Sequence, residues 1–124
     1  PAQMEAMARM ALTQMISEPK NIEMAAAWAA KSDSGFVSQA LYDLMTTDLR
    51  PEMAKIRKPV LLVAAAKKGL GDRARQAYEA QVETAPNHRV VVASKALHFI
   101  MFDDPEFLWS AIDGFLAEGE THAR

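Results

Sequence analysis

Apolar residues recur at intervals of three and four through the first 56 residues, then give way to short unbroken apolar runs. Met4, Met7, Ala8, Ala11 and Met15 fall on one helical face. Pro19 is expected to end that helix. Asn21 offers an N-cap for a second, alanine-rich helix from Ile22 to about Ala30, carrying Trp28. Ser32, Asp33, Ser34 and Gly35 read as a turn or cap. A third helix follows, with Val37, Leu41, Leu44 and Met45 as its expected buried stripe. Thr47 and Asp48 can cap a short turn that starts near Pro51 and carries Met53 and Ile56. No segment in this half alternates as a strand does.

From Pro59 the pattern becomes strand, helix, strand, helix. Val60, Leu61, Leu62 and Val63 form a run that suits a strand buried on both faces, as in a parallel sheet. Gly69 and Gly71 break the chain, and a helix is expected from about Asp72 to Thr84 with Ala74, Ala77, Tyr78 and Val82 inward. Pro86 and Asn87 mark a turn before a second strand over residues 88–93. Asp104, Pro105 and Glu106 then combine an N-cap, a first-position proline and a first-turn acid. Phe107, Leu108, Ala111, Ile112, Phe115 and Leu116 give the last helix its core face, and Gly119 is expected to stop it. Two strands joined by a crossover helix belong to an open α/β sheet, which usually has five or six strands. The pattern therefore describes part of a sheet, or a unit whose missing strands come from other chains.

Composition narrows the function classes. The 124 residues are 50% hydrophobic and 24% charged, the size of one domain or part of one. A net charge of −2 offers no footprint for nucleic acid or an anionic membrane. The absence of cysteine excludes disulfides, thiolate metal sites and a cysteine nucleophile. The apolar run Val60 to Ala66 falls far short of the roughly 20 residues that span a bilayer. The chain opens on Pro1 without a charged-then-apolar leader, which reads as a processed or truncated start and leaves the compartment open.

Few residues can carry chemistry. His122 lies in the tail, and His88 opens a strand beside Arg89 as an exposed edge residue. His98 follows the C-terminal end of the second strand, where open α/β sheets bind ligands, and a histidine there can act as a general base. The alternative is a structural loop histidine. Neither a G-x-S-x-G nucleophile elbow nor a phosphate-binding glycine motif nor a metal-ligand cluster occurs, so no cofactor and no metal are expected. Asp103, Asp104 and Glu106 are explained by capping. The methionines at positions 4, 7, 10 and 15 suit either a core face or a lining for an apolar ligand or partner.

Residues 48–116 resemble the C-terminal half of the α/β-hydrolase family. The matching pieces are Asp48, Leu49 and Arg50 with Ile56, then Lys58 to Val63 leading into a late strand, then Pro86 before Val90, Val91 and Val92. His98 and Phe99, Asp104, Pro105 and Glu106, and Ile112 to Leu116 are similar to the closing signature of that family. The fold this implies is α/β: a helical cap-like region over residues 1–56, then the C-terminal part of a hydrolase core over 57–124, with a parallel strand pair. The resemblance makes His98 the triad histidine, taking a proton from a serine and passing it to the leaving group. The chain departs from the pattern in three places. Leu97 stands where many members carry glycine, Ala65 stands at the strand-end glycine, and Lys68 stands at the acid position. Asp72 is the nearest substitute acid, although it can equally cap the following helix, and in some members the acid follows an earlier strand.

The implied protein is thus the C-terminal portion of a serine-type esterase-like hydrolase that works through an acyl-enzyme. It lacks the nucleophile elbow and is inactive alone. Its expected partners are the N-terminal half of the same enzyme, or another copy joined through open strand edges, and a small substrate with an apolar part. A non-catalytic relative and a helical interaction module are the alternatives.

Overall fold

Pro19 begins a helix instead of ending one. The computed structural model describes residues 2–66 and 70–121. Pro19 stands at the first position of helix α2 (Pro19–Ala29), with Glu18 as the N-cap in an extended conformation and Asn21 already inside the helix. Proline fits there because its missing N–H is one of the helix's unpartnered donors and its fixed φ is helical. Helix α1 (Ala2–Leu12) closes earlier, and a turn carries the chain to Ile16.

The chain divides into two compact units, Pro1–Asp48 and Leu49–Arg124. In the first, α1 packs on α2. Arg9 clamps the pair: its Nε and Nη2 donate to the two Glu23 carboxylate oxygens at 2.8 Å each, and Nη2 also donates to Glu5 at 2.9 Å. Ile16, Ile22 and Ala26 are buried, Ala26 completely. Ile22 and Ala26 stand one turn apart on α2, so the alanine lets a neighbour approach the helix backbone closely. Of the expected α1 stripe, Met7 remains 64% exposed.

Helix α3 (Ser34–Thr46) starts where the Asp33 carboxylate accepts the Phe36 N–H at 2.8 Å, an N-cap as the Ser32–Gly35 cluster suggested. Its stripe is not buried. Leu41, Leu44 and Met45 are exposed, Met45 by 84%, and α3 makes little contact with α1 or α2. Periodicity encodes a face that asks for cover, and this unit supplies no layer to cover it.

The second unit is mixed α/β. A 3₁₀ helix over Arg50–Lys55 leads to strand β1 (Val60–Ala65), helix α4 (Gly71–Val82), strand β2 (His88–Ala93), the short helix α5 (Ile100–Asp103) and helix α6 (Pro105–Thr121). The Thr84 hydroxyl donates to the Arg50 carbonyl at 3.2 Å and ties the 3₁₀ turn to the end of α4. The strands pair in parallel, Val60 opposite His88 through Ala65 opposite Ala93, and α4 is the crossover between them. Both α4 and α6 pack on both strands. The core gathers Ala93, Ala96 and Ile100 with Val63, Ala65, Phe107 and Leu108.

Several expectations change here. The β1 run is only partly buried: Ala64 is enclosed, while Val60 to Val63 keep some exposure. Strands buried on both faces need full helical layers, and two helices over two strands leave margins open. Helix α6 runs through Gly119 to Thr121, because one glycine weakens a helix by only about 1 kcal/mol. On its core face, Leu116 is 59% exposed. Lys68, Gly69 and His122 lie outside the described residues. No described helix is long and apolar enough to cross a membrane.

Candidate functional site

Parallel pairing in register places the carboxyl ends of β1 and β2 at the same end of the sheet. The loops that leave those ends carry the two candidate residues. Asp72 is the second residue of α4, the helix that follows β1. His98 lies in the 94–99 loop, between the end of β2 and α5.

Asp72 is exposed and occupies the first turn of α4, whose N-cap is Leu70 with no side-chain cap bond. Its carboxylate therefore sits where the helix dipole favours negative charge without acting as the cap itself. Among the described residues, no hydrogen bond or ion pair joins Asp72 to His98. The structure thus brings the two candidates to one end of the sheet and does not couple them.

His98 is exposed, and its imidazole meets the Phe99 ring edge to face, with centroids 5.0 Å apart and planes at 82°. Phe99 in turn lies 6.0 Å from the Phe102 ring. The histidine thus rests on an aromatic base while its nitrogens remain open to a reacting group. His88, by contrast, has Nδ1 at 2.8 Å from the Ala85 carbonyl, so one nitrogen is occupied by the turn before β2.

The loop that carries His98 is closed by an acid that sequence reasoning assigned to capping. The Asp103 carboxylate accepts the Leu97 N–H at 2.8 Å across α5. Asp104 performs the cap, accepting the Phe107 N–H at 3.4 Å with Pro105 as the first residue of α6. The two adjacent acids therefore have separate tasks, and only Asp104 announced its task by its place before a proline. Nothing in the residue order marks a bond between positions 97 and 103. It depends on α5, a single helical turn too short to leave a periodic signal. Leu97 uses its N–H to fix the loop.

Electrostatic coupling is strongest away from this region. The Glu23 carboxyl is held below its ordinary range by the Arg9 hydrogen bond, and Arg9 is held above its own. No group of histidine and acidic side chains among the described residues is arranged to hold a metal. No protein-family model, curated protein or solved structure matches the chain.

Proposed function

We propose that this chain is the C-terminal portion of a serine-type α/β-hydrolase, with His98 as its general base. The observation that carries the reading is the position of His98. It is an exposed histidine on a pinned loop at the carboxyl end of a parallel strand pair. Ligands in open α/β sheets bind outside the carboxyl ends of the strands. The unpaired sheet edges and the partly covered strands favour the same reading, because such a sheet is stable when more strands and helices complete it.

In that enzyme a serine from the N-terminal half attacks an ester carbonyl, and His98 accepts the serine proton. The acyl-enzyme forms as the alcohol leaves with a proton from His98, and water then cleaves the acyl bond with the same base. Asp72 is the acid on this chain closest in sequence to the expected place, at the same end of the sheet. The cap-like helices α1 to α3 present Met7, Trp28 and Leu44, which suits a substrate with an apolar part.

The test is labelling of the complete gene product with a serine-directed fluorophosphonate. The reading expects one labelled serine, upstream of residue 1 in a G-x-S-x-G context. A complete product without such a serine, or a label on a serine within residues 1–124, would contradict it.

A further inference from the structure

His98 is held from both sides by one residue. The Asp103 carboxylate accepts the Leu97 N–H at 2.8 Å, and the Asp103 backbone N–H donates to the Phe99 carbonyl at 3.3 Å. Leu97 and Phe99 are the chain neighbours of His98, so residues 97–103 form a closed loop with the histidine on it. The Phe102 N–H also donates to the Phe99 carbonyl, at 2.9 Å, and the Asp104 N–H donates to the Ile100 carbonyl at 2.8 Å. Buried Ala96 and Ile100 anchor the chain in the core on either side of the histidine.

The two sides of this grip differ in origin. The bonds to Phe99 come from the backbone turn of α5 and ask nothing of the side chain at position 103. The bond to Leu97 needs an acceptor one methylene from the backbone at that position, and Asp103 supplies it from a partly buried place. The His98 ring depends on the same turn. It stands edge to face on Phe99, with centroids 5.0 Å apart, and Phe99 is the residue whose carbonyl α5 holds. A general base must meet the proton it takes at hydrogen-bond distance, and a misplacement of about 1 Å can cost about 10²-fold in rate.

We propose that Asp103 is a positioning residue for His98, setting where the imidazole stands through its bond to the Leu97 N–H and not through its charge. The inference rests on the reading of His98 as the general base. It gives Asp103 a task beyond stability and separates it from its neighbour Asp104, whose carboxylate caps α6 through the Phe107 N–H. A residue that acts by position lowers kcat and kcat/KM together when it is removed, because the loss is felt in the transition state and not in substrate binding. Its effect also follows the reach of the side chain at position 103, where an effect of charge would follow the carboxylate.

Steady-state hydrolysis of a short-chain aryl ester by the complete gene product tests it, at a temperature where circular dichroism shows the variants folded. Asp103→Ala lowers kcat by about 10²-fold with KM unchanged. Asp103→Asn loses the charge but keeps an acceptor at the same reach, and it retains most of the wild-type kcat. Asp103→Glu keeps the charge but moves the acceptor out by one methylene, and its kcat falls below that of Asp103→Asn. Asp104→Ala gives up a helix cap and keeps the wild-type kcat. If Asp103→Ala does not fold, the order of Asp103→Asn and Asp103→Glu decides the matter. Asp103→Glu as active as wild type, with Asp103→Asn impaired, overturns the proposal in favour of charge. Equal falls in Asp103→Ala and Asp104→Ala overturn it in favour of stability alone. Wild-type kcat in Asp103→Ala beside an inactive His98→Ala overturns the positioning role and leaves the general base standing, whereas wild-type turnover in His98→Ala overturns both.

Discussion

The Leu97 N–H and the Asp103 carboxylate meet at 2.8 Å, so the loop that carries His98 is closed by a bond from the residue before it to an acid five residues after it. A backbone donor bound to a charged acceptor contributes more than a neutral pair, and leaving that donor without its partner costs about 1–3 kcal/mol. Asp103→Ala should lower the unfolding free energy by about that amount. Asp103→Asn, which keeps an acceptor oxygen, should lose less. Urea denaturation of the three proteins checks this, and equal midpoints would contradict it.

How much of this was legible in the residue order depends on where each signal is stored. Both strands were readable because Val60–Val63 and Val90–Val92 are dense, β-branched runs bounded by turn residues. Asp104 with Pro105 marked the start of α6 because both residues act locally. Pro19 misled because the same residue punctuates either end of a helix, and only its neighbour's conformation decides which. The α3 stripe misled for a different reason: amphipathicity states a demand for cover, not its fulfilment. His98 was visible through its distance from a strand end. The Asp103 contact and the hydrogen bond from Arg75 to the Val90 carbonyl were not, because each joins distant positions through a side chain whose reach no periodicity records.

The Arg9–Glu23 clamp should make the α1–α2 pairing sensitive to acid. The Glu23 carboxyl is held below its ordinary value mainly by the Arg9 hydrogen bond. A lowered folded-state value means that the stabilisation is present above the unfolded-state value, near 4.3 for glutamate, and is lost as pH falls through the folded-state value. Side-chain carbon NMR should show Glu23 titrating below an ordinary glutamate. In Arg9→Gln it should return to the ordinary range. Both ends of the pair are exposed, so added salt should weaken the shift. An identical Glu23 titration in the variant would contradict the clamp.

Ala26 is fully buried on α2. Ala26→Leu should cost about 1–3 kcal/mol by forcing neighbours off their preferred rotamers. Ala27 on the same helix is exposed, and Ala27→Leu should be nearly neutral. Thermal melting of the two variants separates the cases, and equal losses would contradict the packing described here.

Asp33 supplies the N-terminal side-chain cap of α3, a helix with little tertiary support. Asp33→Ala should cost about 1 kcal/mol of local helix stability. Because so few packing contacts hold α3, the loss should appear as faster amide exchange over residues 36–46, with the β1 and β2 amides unaffected. Unchanged exchange in α3 would count against the cap.

As the proposed general base, His98 would move the proton in ester cleavage. Its most direct test is the turnover of a short-chain aryl ester by the complete gene product, wild type against His98→Ala. Loss of a triad base predicts a fall in kcat of at least about 10⁴-fold with little change in KM. Turnover equal to wild type in His98→Ala would contradict it.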